Sequence, residues 1–237
     1  MHLFYCTDIT IPNYNLTEEE SKHCIRVLRL KINDTIFLID GIGGFYKAII
    51  IDDHPKRCIV KIIDIKKEFK KSSFQLHIAI APTKNMDRLE WFTEKATEIG
   101  INEISLIDCD NSERTIVKIE RLKKVAIAAI KQSLKAYLPI INETITFKKF
   151  IALTTNFIGQ KFIAHCNASE SKEKLHLKNQ YLPHENALIL IGPEGDFSID
   201  EIKLAIDNGF KEIQLGESRL RTETAALYAC TTINILQ

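Results

Sequence analysis

From residue 74 onward the chain repeats one pattern: a short apolar run, a polar or glycine-bearing break, then a longer amphipathic stretch. Apolar runs at 74–81, 103–108, 161–166, 187–191 and 212–215 read as strands. The stretches 87–99, 117–137, 198–208 and 223–236 read as helices. Their ends are marked: Gly100 and Gly209 each follow a helix, Pro139 stops a third, and Ser198 with Glu201 forms a capping box. Such alternation predicts an α/β fold, a mostly parallel sheet with helices on both faces.

The first seventy residues obey another rule. Runs at 35–40, 45–51 and 58–65 are rich in isoleucine, valine and aromatics. Gly41-Ile42-Gly43-Gly44 and Asp52-Asp53-His54-Pro55 separate them with turn chemistry, which predicts a strand meander closing into a small β-barrel or sheet. Thr17 and Glu20 fit a capping box for one helix. At α-helical spacing it carries Lys22, Arg26 and Arg29 on one face, with Cys24, Val27 and Leu28 on the other. The charged stretch 66–73 reads as a linker, so the expected domains are 1–70 and 74–237.

A net charge of +1 excludes a general polycation, so any nucleic-acid footprint is a local patch. The six cysteines stand singly, with no Cys-x-x-Cys pair, which predicts buried free thiols in a reducing cytoplasm. His23 and His165 each adjoin a cysteine, but one adjacent pair cannot build a tetrahedral site, and no metal is expected. No apolar run approaches the ~20 residues of a bilayer span. The N-terminal residues lack the basic flank and long apolar core of a signal peptide. The expected location is cytoplasmic, without a membrane partner.

Only nine residues are glycine, so a glycine loop stands out. Gly192-Pro193-Glu194-Gly195 follows an apolar strand and precedes a capped helix, at the sheet edge where open α/β folds bind ligands. By itself it is equally a plain β-to-α turn. It is neither a Gly-x-x-x-x-Gly-Lys-Ser/Thr loop nor a Gly-x-Gly-x-x-Gly fingerprint, which disfavours a triphosphate or a dinucleotide. Leu215-Gly216 opens a second such break, running through Glu217-Ser218-Arg219-Leu220-Arg221-Thr222-Glu223-Thr224-Ala225 into the last helix. Thr222 or Thr224 can cap that helix. Arg219 and Arg221 draw notice because no arginine occurs between Arg121 and Arg219.

Together these two segments resemble the cofactor loops of SPOUT-class methyltransferases. Within that class the chain resembles the RsmE family, the 16S ribosomal RNA (uracil(1498)-N3)-methyltransferases, where 1498 numbers the RNA. The likeness runs nearly end to end. His23-Cys24-Ile25-Arg26-Val27-Leu28-Arg29-Leu30 with Asp34 is similar to the family's PUA-like N-terminal domain. Lys84 to Arg88, Glu94-Lys95-Ala96-Thr97-Glu98-Ile99-Gly100, Ser112-Glu113-Arg114-Thr115, Lys131-Gln132-Ser133 and Leu138-Pro139 are similar to its methyltransferase domain. Three positions depart: Lys135 where arginine is usual, Asp196 where a second glycine is common, and a Met-His start.

The resemblance implies a deep trefoil knot, a homodimer with the active site at its interface, and S-adenosylmethionine held by three loops. Carried onto this chain, the cofactor residues are His165, then Gly192, Pro193, Glu194 and Gly195, then Leu215, Gly216, Leu220, Thr222, Thr224 and Ala225. Lys22, Arg26 and Arg29 with Lys31 would bind RNA phosphates in 16S rRNA of the small ribosomal subunit; their other reading is a solvated helix face. A sulfonium is already an activated methyl donor, so the main task is aligning the methyl with uracil N3. Loss of the N3 proton drives charge onto the flanking carbonyl oxygens, and Arg221 is the candidate to stabilise it. Glu223 or a water would take the proton. Two alternatives stay open, Glu223 as a first-turn helix charge and Arg221 as a phosphate ligand. At the level of function, the rivals are another base or ribose specificity and a non-catalytic RNA-binding ribosome-assembly factor.

Overall fold

The computed structural model describes residues 1–167 and 174–237. The chain divides into two compact units, Met1–Lys71 with Ile130–Leu138, and Ser72–Ala129 with Pro139–Gln237.

The first unit holds β1 (Leu3–Tyr5), β2 (Asn13–Asn15), α1 (Glu18–Lys22), β3 (Thr35–Ile39), β4 (Phe45–Asp52) and β5 (Ile59–Lys66). Its sheet runs β1-β3-β4-β5-β2, with the β3-β4-β5 meander antiparallel and β1 parallel to β3. Alternation sets its core: Ile36 and Leu38, Ala48 and Ile50, and Val60 and Ile62 turn inward onto Phe4, Cys24 and Cys58. Asp40 holds the β3–β4 turn, its Oδ1 accepting from the amides of Ile42 and Gly44 at 2.9 and 2.8 Å.

Four expectations change here. Thr17 caps α1 by accepting from the Glu20 amide at 3.2 Å, but Glu20 directs its carboxylate to Lys131 Nζ, 2.9 Å away. Half of the capping box therefore forms. Beyond α1, His23–Val27 make a π-helical turn closed by the Leu28 amide on the His23 carbonyl, and Arg29 leaves at φ +57°. Lys22, Arg26, Arg29 and Lys31 are all exposed, yet α-helical spacing no longer relates them. Val27, expected on the inner face, is 67% exposed. The stretch read as a linker begins inside β5, and Phe69 stacks on Phe45 at 4.3 Å between ring centroids, so it belongs to this unit as far as Lys71.

The second unit begins with β6 (Leu76–Ile80), α2 (Met86–Ile99), β7 (Glu103–Asp108) and α3 (Ile119–Ser133), of which the residues from Ile130 onward count with the first unit. It continues through β8 (Ile140–Ile141), β9 (Ile145–Thr146), α4 (Phe147–Leu153), β10 (Gln160–Ala164), β11 (Leu175–His176) and α5 (Leu177–Gln180). It ends with β12 (Ala187–Ile191), α6 (Ile199–Asp207), β13 (Lys211–Gln214) and α7 (Thr222–Ile235). The sheet order is β11-β13-β10-β12-β6-β7-β8, with β9 also on β7, and every pairing is parallel. β6 and β12 are buried at every position, as a parallel sheet covered on both faces demands. Leu188 and Leu190 pack with Phe147, Phe150, Ile202 and Ala205 of α4 and α6, while α7 packs on α2, β6 and β12.

α3 is shorter than the expected 117–137. It stops at Ser133 because Leu134 turns to φ +55° and the Lys135 amide bonds back to the Ile130 carbonyl, a left-handed cap made without glycine. Among the described residues no helix is long and apolar enough to cross a membrane. All six cysteines are free; five are buried, and Cys166, against expectation, is exposed.

Candidate functional site

Because β10, β12 and β13 are parallel neighbours, with Ala164 in register with both Ile191 and Ile213, their C-terminal ends meet at one edge of the sheet. The polar loops after them enclose a cavity of about 640 Å³. Its wall takes His165 and Cys166 from the first loop, Gly192, Pro193, Glu194 and Asp196 from the second, and Leu215 to Thr222 with Ala225 from the third. Lys174 completes it.

Hydrogen bonds tie these loops to each other. Thr222 Oγ1, at the start of α7, donates to the Gly192 carbonyl at 3.1 Å. Arg219 Nη2 donates to the Glu194 carbonyl at 3.4 Å. Asp196, standing where glycine was the common residue, sits at φ +64° and binds two amides: Oδ2 accepts from Cys166 and Oδ1 from Phe197, each at 2.8 Å. A Cβ on Gly192 would meet the Phe197 ring at 3.1 Å. Gly216 takes φ +128°, a backbone state that side-chain-bearing residues rarely adopt, and its missing Cβ faces open space.

The loop after β7 braces the second loop from outside. Asn111 Nδ2 donates to the carbonyls of Gly195 and Asp196 at 3.3 and 3.1 Å. Arg114 donates through Nη2 and Nε to the Lys84 carbonyl at 2.9 and 3.2 Å, and the Lys84 amide donates to Glu194 Oε1 at 3.1 Å. Glu194 Oε2 is buried without a hydrogen-bond partner among the described residues. The Ser198–Glu201 capping box forms in full. Glu201 is raised above its ordinary value by burial, against the pull of the Ser198 and Asp110 amides.

Of the eleven residues expected at the cofactor, nine line the cavity; Gly195 and Thr224 do not. Gly195 is exposed with its carbonyl on Asn111, and Thr224 is exposed in the first turn of α7, after the buried pair Thr222 and Glu223. Arg221 lines the cavity as the N-cap residue of α7, exposed, and its side chain has no partner among the described residues. Glu223 is buried, 3.8 Å from Arg88 Nε, and does not line the cavity. Lys22 pairs with Glu18 at 2.7 Å in the first unit. Among the described residues, no group of three or more His, Cys, Asp or Glu is placed to hold a metal ion.

Sequence reasoning missed Lys174, Asn111 and Glu212. None lies in a glycine loop, and only the strand order brings them to this edge.

A family model described as an RNA methyltransferase domain matches residues 70–234, and one described as an RNA methyltransferase PUA domain matches residues 16–63. The chain is 32% identical over 225 residues to the ribosomal RNA small subunit methyltransferase E of Rickettsia conorii, covering 93% of this chain and 89% of that protein. A crystal structure of a probable rRNA methyltransferase from Porphyromonas gingivalis superposes with a TM-score of 0.92 at 41% identity, covering 100% of this chain and 98% of that one. The ribosomal RNA small subunit methyltransferase E of Neisseria gonorrhoeae, bound to S-adenosylmethionine, shares the fold. Its TM-score is 0.84 at 24% identity, covering 100% of this chain and 98% of that one.

Proposed function

The chain belongs to the ribosomal RNA small subunit methyltransferase E family of RNA methyltransferases, and from that premise we propose that it methylates N3 of a uridine in 16S rRNA, position 1498 in the RNA's numbering, using S-adenosylmethionine. The observation that carries this reading is the cavity of about 640 Å³ at the meeting of three loop ends, of a size that encloses a nucleoside-bearing cofactor. The residues suit the group. Glu194 Oε2 is a buried acceptor lacking a donor among the described residues, and the cofactor brings hydroxyl and ammonium donors. Gly216 leaves room beside the apolar side chains of Leu215 and Leu220.

When bound, S-adenosylmethionine supplies an activated methyl group on its sulfonium. This chain's part is then alignment and electrostatics. Arg221, a guanidinium on the cavity wall with no partner among the described residues, stabilises the charge that deprotonation of N3 drives onto the uracil carbonyl oxygens. Because Glu223 is committed to Arg88 outside the cavity, a water takes the N3 proton. His165, Gly192, Pro193, Leu215, Thr222 and Ala225 hold the cofactor, while Gly195 and Thr224 act through the backbone beside it.

Residues 1–70 serve as the PUA-like RNA-binding domain, with Lys22, Arg26, Arg29 and Lys31 on phosphates, and 74–237 as the methyltransferase domain. The enzyme works in the cytoplasm without a metal, as a knotted chain and a homodimer, on the small ribosomal subunit. Mass spectrometry of 16S rRNA from a deletion strain tests the substrate: loss of one 3-methyluridine is expected, and loss of a ribose methyl instead would overturn the assignment. Calorimetry tests the cofactor, and absence of S-adenosylmethionine binding would leave an RNA-binding assembly factor.

A further inference from the structure

Lys174 lines the cavity, yet its bonding capacity is spent inside the protein. Its Nζ lies 2.8 Å from the His165 carbonyl oxygen and 3.0 Å from His165 Nδ1, and it also donates to the Asn167 carbonyl. The two carbonyls can only accept, and the Glu212 carboxylate, 2.9 Å from Nε2, accepts as well, which places the imidazole's single proton on Nε2. Nδ1 of the neutral ring then turns a lone pair toward Nζ. Three acceptors call for three N–H bonds, and only the ammonium form carries three. The His165 side chain is 1% exposed, so water does not substitute for either partner.

We propose that Lys174 is a positioning residue of the methyl-donor site: it clamps the carbonyls on either side of Cys166 and locks His165 as the neutral Nε2–H tautomer against Glu212. This rests on the reading of the cavity as the S-adenosylmethionine site. The clamp fixes the wall formed by residues 165–167 before a ligand arrives, which lowers the ordering cost of binding. A protonated imidazole would aim an N–H at the ammonium, and a neutral Lys174 would abandon one of its three acceptors.

The charges around the set agree with this arrangement. Burial and Lys174 push His165 below its ordinary value, against Glu212 and Asp196. Burial also lowers Lys174, against Glu212, Asp196 and Cys166.

The test reads the tautomer first. Long-range ¹H–¹⁵N correlation spectra of the whole protein, with the His165 signal identified by its loss in His165→Gln, should show the Nε2–H pattern persisting from roughly pH 7.5 to roughly 5.5. An Nδ1–H pattern, or titration of His165 at its ordinary value, overturns the proposal without any substitution at Lys174. In Lys174→Met, His165 should take up its proton at higher pH than in the wild type. Affinity for S-adenosylmethionine by calorimetry should fall roughly tenfold, and Lys174→Arg should recover part of it. Unchanged affinity in Lys174→Met overturns the positioning role. If the wild-type protein binds no S-adenosylmethionine, the proposed function falls and the positioning role with it. The tautomer result then separates that failure from a failure of the clamp.

Discussion

Replacing Asp196 by glycine should cost less stability than its two hydrogen bonds suggest, while loosening the loops that line the cavity. The carboxylate accepts from the Cys166 and Phe197 amides, both at 2.8 Å, in a partly exposed setting. Such bonds contribute about 1 kcal/mol each net, so losing both costs about 2 kcal/mol. Against this, Asp196 holds φ +64°, and the left-handed conformation costs a residue with a Cβ roughly 1 kcal/mol that glycine does not incur. The net loss in Asp196→Gly is then about 1 kcal/mol, a fall of roughly 2–4 °C in Tm for a chain of this size. Asp196→Ala loses the same bonds without relieving the backbone, for about 2 kcal/mol and twice the fall. Thermal denaturation separates the two variants. Calorimetry should find S-adenosylmethionine binding several-fold weaker in both, since the Cys166 bond joins the first loop to the second. Equal melting temperatures for Gly and Ala would refute the backbone argument. Wild-type affinity in Asp196→Gly would refute the link between loops.

Arg221→Ala should lower turnover roughly 100- to 1000-fold, the scale for removing a preorganised charge from a transition state, with cofactor affinity within about twofold. Equal losses in both would reassign Arg221 to cofactor binding. Changing Lys22, Arg26 and Arg29 together to glutamine should weaken RNA binding and flatten the salt dependence of log K by about 2 for single-stranded contacts; an unchanged slope leaves that face without a role. Stability should also fall with acidity. Burial depresses His77, His165 and His176, so below their ordinary value of about 6.5 the folded chain holds fewer protons than the unfolded one. Their contribution is present above that value and is lost as pH falls through the folded values. Tm should therefore drop between about pH 7.5 and 5.5, and His165→Gln should blunt the drop. Glu201, raised by burial, acts with the opposite sign nearer the carboxylate range. A Tm that rises on acidification through the histidine window would refute the assignment.

Elements built from periodicity were legible along the chain. β6 and β12 announce themselves as apolar runs because both their faces are covered, and α6 because Ser198 and Glu201 cap it. β8, β9 and β11 were not legible, being two residues each and existing only through a neighbour's hydrogen bonds. The π turn at His23–Val27 was equally hidden, since nothing in His-Cys-Ile-Arg-Val distinguishes it from an α turn. The early stop of α3 escaped notice because Leu134, not a glycine, takes the left-handed cap. At the site, glycine and strand-end signals located the second and third loops. Adjacency in sequence misleads where a loop enters a helix, however: Glu223 stands two residues from Arg221, yet only Arg221 lines the cavity.

What the sequence by itself determined is local: which segments become strands or helices, where each ends, and which loops are polar enough to meet a ligand. Hydrophobic period and capping chemistry are properties of neighbouring residues and can be read from them. Which strands lie side by side was decided only by the tertiary structure, because parallel pairing uses backbone groups that are the same for every residue. Only the order β13-β10-β12 brings Glu212 to His165 and Cys166 to Asp196, and so turns three separate loop ends into one cavity.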